Sequence, residues 1–318
     1  MNNVKSNPVK QKLGGIKAFS KTNLTPSLVI IKKTFFFDLC SIKKLAISIL
    51  FMVFVPALVL VLTPPRVLSG DEYVVQLLGL VTWYYNFAIL FPIIIIGSTG
   101  PLISEELKSG TMLFLISKPI NRPKIVLSKF IALYLFGIVV SLVSLSVISL
   151  IALIKYPFAD IGLYFGINFL YSLIILFFFG GITMGFSSIF KKPRNVLLLP
   201  LTLVIFSFLI IMMFKPFLLF ATDNWYEKYL LYNFDIGYHF ANIFIWIGEF
   251  YIPEILDYFG MFFWMFGITE MVYNEIDYTY DYVKTEYYHP VGSLIFLIII
   301  GGILLIAGIL IFRKRDIS

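Results

Sequence analysis

Six runs of almost unbroken apolar residues dominate this chain: Leu45–Leu62, Val81–Leu102, Phe130–Ile154, Gly162–Phe190, Val196–Phe214 and Val291–Phe312. A helix needs roughly 20 apolar residues to cross the hydrocarbon of a bilayer, and each run meets or approaches that length. Lipid offers no partner to backbone N–H and C=O groups, so a crossing segment must satisfy them internally as a helix. The fold class expected is therefore an all-α polytopic membrane protein with six transmembrane helices, residues 45–312 forming a single membrane domain. The composition agrees, at 59% hydrophobic and 14% charged, far from that of a soluble domain. No Asp, Glu, Lys, Arg or His falls inside any run, which argues against a proton-coupled carrier needing buried ionisable relays. A sodium-coupled carrier that uses backbone carbonyls would escape this argument.

The flanks set the orientation. Nine lysines and one acid, Asp38, precede Leu45; Lys108, Lys118, Arg122, Lys124 and Lys129 follow the second run; Lys191, Lys192 and Arg194 follow the fourth; Arg313, Lys314 and Arg315 follow the sixth. Positive flanks stay inside, so both termini and the even-numbered connections are expected in the cytosol, with the protein in the plasma membrane. The net charge of +7 sorts by membrane side and forms no aromatic-interleaved patch, which excludes nucleic acid as a partner. All four Trp (Trp83, Trp225, Trp246 and Trp264) fall on the other side, as an interfacial aromatic belt would place them. Residues 1–25 read as a flexible cytosolic tail and 313–318 as a basic one. The first run lies too deep for a cleaved signal peptide. Residues 26–44 read as an amphipathic interfacial helix, with Leu28, Ile31, Phe35, Leu39 and Ile42 on one face and Lys33, Thr34, Ser41 and Lys44 opposite. A helix packed on a partner subunit is the alternative.

The outer connection 219–290 holds eleven acids against two lysines. Its apolar segments Ile236–Ile247 and Tyr258–Ile268 are short and flanked by Glu249, Glu254 and Asp257, so re-entrant or interfacial helices are expected. An eight-span reading would place those acids in lipid. Lys215 reads as a snorkelling anchor. His239 reads as a surface hydrogen-bonding residue, and neither it nor His289 has zinc spacing around it. Cys40 is the only cysteine and behaves as a small apolar residue. Gly180, Gly181, Gly185, Gly301, Gly302 and Gly308 suit close helix packing. Ser141, Ser144, Ser146 and Ser149 can bond across helices or line a polar path.

Between the second and third runs, residues 103–129 form a short charged loop. Thr111 can cap a brief apolar helix, Met112–Ser117, which Pro119 ends. Asn121 can cap the next helix, with Pro123 in its first turn. From Glu106 through Gly110-Thr111, a Leu-rich turn and Pro119-Ile120-Asn121-Arg122 to Lys129, this loop resembles the cytosolic loop of ABC-2 type permeases, the membrane subunits of ATP-driven transporters. The helices expected between the fifth and sixth spans are a second point of resemblance. The resemblance implies a coupling helix seated in a separate ABC ATPase subunit. Glu105, Glu106 and Arg122 would then form polar contacts at the rim, Met112, Leu113 and Leu115 the apolar centre, and Gly110, Thr111 and Pro119 the frame. It also implies a homodimer or a heterodimer with a second permease, and export. ATP and Mg would belong to the partner, because this chain lacks a phosphate loop; Gly97-Ser-Thr-Gly100 is a lookalike without the lysine. The rival readings are a membrane-embedded enzyme or assembly factor and an ATP-independent channel or scaffold.

Overall fold

The computed structural model describes residues 26–63, 79–116, 120–155, 161–220, 225–249, 255–274 and 279–315; the tails 1–25 and 316–318 lie outside it. Six helices are long and apolar enough to span: α2 (Ile42–Leu62), α3 (Leu80–Ser109), α5 (Arg122–Lys155), α6 (Ile161–Ile189), α7 (Pro193–Phe217) and α10 (Pro290–Lys314). Ahead of them lies α1 (Pro26–Lys33), continued by a π-helical segment, Thr34–Leu39. The short helix α4 (Met112–Ile116) joins α3 to α5. Between α7 and α10 come α8 (Ile236–Glu249), α9 (Ile255–Trp264) and a hairpin of β1 (Thr269–Asn274) and β2 (Thr279–Lys284). The spans agree with the six apolar runs, and the chain is an all-α polytopic membrane protein apart from that hairpin.

The bundle is built on α6, which packs along α10, α5 and the middle of α3. Glycine makes the α6–α10 approach possible. A Cβ on Gly181 would stand 2.8 Å from the Gly301 carbonyl oxygen, one on Gly185 would strike the Leu304 carbonyl, and one on Gly308 would stand 2.5 Å from the Gly185 Cα. Backbones this close gain van der Waals contact that larger residues would forbid, a main driving force for helix association in lipid. Gly180 instead faces Leu133 of α5, and Gly302 faces open space. Ser141, Ser144 and Ser146 bond back to Ile138, Val140 and Leu142 of their own helix, and Ser144 also reaches Met52 of α2.

Basic side chains close the helix ends. Lys155 donates to the Leu60 carbonyl of α2, and Arg315 to the Ile189 carbonyl of α6 at 2.9 Å. Carbonyls at a helix C-terminus have no intrahelical donor and carry the negative end of the dipole, so cations suit them.

α1 lies against α5, not alone at a surface. Ile30, Thr34 and Leu39 are buried, whereas Leu28 and Ile42 are exposed. Thr34 thus lies on the buried face, one α-helical turn after Ile30, and the π-helical winding that starts there brings Leu39, five residues on, to the same face.

The long connection between α7 and α10 folds onto the bundle. Trp83 of α3 is buried, with ring centroids 5.1 Å from Phe244 of α8, 5.2 Å from Phe263 of α9 and 5.1 Å from Phe266. It is a core residue and not a member of an interfacial belt, since α8 and α9 cover it. Lys215 is no anchor either: it is buried and paired with buried Asp235, and its Nζ donates to the Phe266 carbonyl at 2.7 Å. Tyr226 donates to the same carboxylate at 2.8 Å, and Asp235 accepts from the Tyr238 backbone N–H at 3.1 Å. His239 is buried rather than superficial, bonded to Ser293 at 3.0 Å and to the Asn233 carbonyl at 3.3 Å. The hairpin is antiparallel, with Thr269 opposite Lys284 and Asn274 opposite Thr279, and Lys284 pairs with Glu249 of α8.

Candidate functional site at the basic end

The site is the corner where α3, α4 and α5 meet. α3 does not end at the apolar boundary but runs to Ser109, so Ile103–Ser109 is helix rather than loop. Pro101 lacks an N–H and restarts the helix there, leaving first-turn N–H groups without intrahelical acceptors. Ser187 of α6 serves them: its Oγ accepts from the backbone N–H of Ile103 at 3.2 Å and of Ser104 at 3.1 Å, and donates to the Gly100 carbonyl at 2.9 Å. This inner segment is therefore fixed to the centre of the bundle.

Its periodicity splits the two faces. Ile103, Ser104 and Leu107 are buried, while Glu105, Lys108 and Ser109 face outward. Glu106 lies between them. Its carboxylate is 2.6 Å from the Nζ of Lys129 on α5 and 4.0 Å from that of Lys33 on α1. Lys129 is only 1% exposed, and also donates to the Leu102 carbonyl at 2.5 Å. One acid thus ties three helices. Lys129 was legible only as a flanking charge in the sequence, because its partner lies on another helix.

Gly110 ends α3 in the left-handed region, at φ 72°, which residues with a Cβ adopt at a cost. The Gly110 carbonyl then accepts from the Leu113 N–H at 3.1 Å, opening α4, and Thr111 bonds to the Ser109 hydroxyl at 2.9 Å. The short helix presents two faces. Met112 is fully buried in the chain's own core and Leu115 is partly buried against it, while Leu113 is 48% exposed. Of the three apolar residues expected to form a docking centre, Met112 instead anchors the helix and Leu113 is the one presented.

Glu105, near the end of α3, and Thr111, two residues before Leu113, are exposed. Arg122 is engaged elsewhere, donating to the backbone carbonyls of Arg313 and Arg315 at the end of α10. Pro119 lies outside the described residues. On the far side of the turn, Asn121 receives the Lys124 N–H at 2.9 Å through its backbone carbonyl and starts α5. Among the described residues, the charged groups that converge here, Glu106 with Lys129 and Lys33, tie helices together beneath an apolar tip.

A family model described as "ABC-2 family transporter protein" matches residues 10–317. Comparison with curated proteins gives no match.

Proposed function

Because this chain belongs to the ABC-2 transporter family and is a multi-pass permease subunit, we propose that a separate ABC ATPase docks on the corner 103–124 and drives it. The observation that carries this is the exposed Leu113 on a helix whose other face, through Met112, is sunk in the core. A tip held this way transmits force, because α3 is fixed to α6 through Ser187 and to α5 through the Glu106–Lys129 pair. Glu105, Glu106, Gly110, Thr111, Met112, Leu113, Leu115, Pro119 and Arg122 form or support the joint. Leu113 is its apolar centre, with Glu105 and Thr111 at the polar rim.

In this reading the basic end and both termini face the cytosol across the plasma membrane, following the distribution of Lys and Arg. The chain works as a dimer with itself or with a second permease. ATP and Mg are held by the ATPase, and transport runs outward. The likeness of the 103–129 loop to that of ABC-2 type permeases is what supports dimerisation and outward transport in this proposal. The eleven acids and many aromatics of 219–290 suit a cationic or amphiphilic cargo at the outer mouth.

The test is co-purification. Tagged chain extracted in mild detergent from its own host should bring an ABC ATPase with it, and Leu113→Asp should lose that subunit while remaining folded. A Leu113→Asp protein that retains the ATPase at the wild-type ratio would overturn the docking reading.

A further inference from the structure

The facing sides of α3 and α6 carry a line of uncharged polar side chains that neither helix packing nor docking explains. On α6, Tyr164, Asn168 and Tyr171 recur at the spacing of one helical face. On α3, Thr82 and Asn86 stand one turn apart in a π-helical stretch, Leu80–Leu90, where i→i+5 bonding puts residues four to five apart in line. The two rows meet. The Thr82 and Tyr164 hydroxyls bond to each other, the Asn168 amide donates to the Tyr164 carbonyl at 2.9 Å, and the Trp83 ring centroid lies 6.4 Å from that of Tyr171.

Asn86 and Tyr171 are 0% exposed and Asn168 is 2%. Yet both amide atoms of Asn86 and the Asn168 Oδ1 have no hydrogen-bond partner in the protein, and the Tyr171 hydroxyl and the Trp83 indole nitrogen have only each other. A buried amide bonded through neither atom costs free energy that a leucine of similar size would not. Three such atoms in one seam, beside the Trp83–Tyr171 pair, ask for a common partner. None of the lining side chains is charged, so an ion has no counter-charge there, and both donors and acceptors are on offer. Thr82 and Tyr164 lie in the first turns of α3 and α6, so the seam starts at the end opposite the basic corner and leads inward.

We infer that this seam is a buried site for neutral hydroxyl oxygens, those of water or of a hydroxylated solute. The site is independent of how the ATPase docks. Water can accept from the Asn86 N–H and donate to both the Asn86 and Asn168 oxygens, and a solute hydroxyl can accept from the one while donating to either of the others.

Radiolytic hydroxyl-radical labelling of the full chain in lipid nanodiscs tests it, because radicals form at water held beside a side chain. Corrected for intrinsic reactivity, Tyr171 should label about fivefold or more above Phe178 and Phe179, which are equally buried on the same helix. Asn86→Leu with Asn168→Leu should bring Tyr171 down to their level. If that double variant fails to fold, the wild-type comparison decides alone. A second arm separates the sources: Asn168→Cys in a Cys40→Ala background is exposed to 2-hydroxyethyl methanethiosulfonate. Modification shows that the seam admits an organic hydroxyl; labelling without modification assigns it to water. Tyr171 labelling no faster than Phe178, with Asn168→Cys unmodified, overturns the proposal.

Discussion

Glu106 and Lys129 meet at 2.6 Å where the second and third spans leave the basic end of the bundle. The lysine is almost wholly buried, whereas the Glu106 side chain keeps 18% exposure. That asymmetry predicts unequal consequences of breaking the pair. Glu106→Gln strands a buried ammonium and should destabilise by about 3–5 kcal/mol. Lys129→Met leaves a carboxylate that can still turn to solvent or to Lys33, and should cost less. The double variant should recover part of the loss, giving a coupling energy of about 1 kcal/mol or more in a double-mutant cycle. Apparent melting temperatures of the four proteins in one detergent provide the check.

The α6–α10 seam predicts a contrast between glycines that look alike in sequence. Gly185→Ala places a methyl group against the Leu304 carbonyl, a backbone atom that cannot turn aside. It should destabilise by about 1–3 kcal/mol through forced helix separation. Gly302→Ala meets nothing within 4 Å and exchanges a poor helix former for the best, so it should be neutral or stabilising by up to about 1 kcal/mol. Thermal unfolding of the two variants side by side measures the difference.

His239 predicts an acid-sensitive region around α8. Burial holds its imidazole pKa below the ordinary value of 6.5; the Asn233 carbonyl and Asp235 oppose that shift, and Lys215 adds to it. Its neutral form fits the site: Nε2–H can donate to the Asn233 carbonyl while Nδ1 accepts from Ser293, whose oxygen also receives the Asn242 amide. As pH falls, the unfolded chain takes the proton first. The stability from this group is complete above about pH 6.5 and declines as pH drops from there toward the lowered folded-state value. His239→Gln should flatten that limb of the stability curve between pH 7 and 5, read by thermal unfolding across the pH series.

The six spans are legible because apolar runs of this length satisfy their backbone in lipid as helices, whereas barrel strands are about half as long. The glycine seam was legible in part: spacing picked out Gly181, Gly185, Gly301 and Gly308, but could not tell that Gly302 faces away. The burial of Lys129 and the pairing of Lys215 are illegible in the sequence for a common reason. A lysine at the end of an apolar run looks the same whether it snorkels or pairs, and the acids that decide the matter, Glu106 for Lys129 and Asp235 for Lys215, lie on other elements. Trp83 has the same ambiguity, since a membrane belt and an aromatic core draw on the same residues. The β-hairpin was missed although β2 reads Thr-Tyr-Asp-Tyr-Val-Lys. That period of two lay within an acidic connection read only for helical pattern.

Arg122 offers the sharpest separation between a docking residue and a bracing one. The resemblance gave it a place at the rim of the ATPase joint, yet its guanidinium reaches the Arg313 and Arg315 carbonyls at the end of α10. Those carbonyls sit at a helix C-terminus, where a cation satisfies orphan acceptors and the dipole together. Arg122→Ala should therefore lower stability by about 1.5–3 kcal/mol, the range for hydrogen bonds to a charged group. Arg122→Lys should recover much of this, because both carbonyls are bonded by one guanidinium nitrogen, Nη1, which an ammonium of similar charge can replace. If bracing is its role, both variants should still co-purify with the ATPase at conditions where they are folded, whereas Leu113→Asp, on an exposed side chain, should melt like wild type and lose the ATPase. The reverse pattern, with Arg122→Ala losing the ATPase at unchanged melting temperature, would put Arg122 in the joint and free α10 from it.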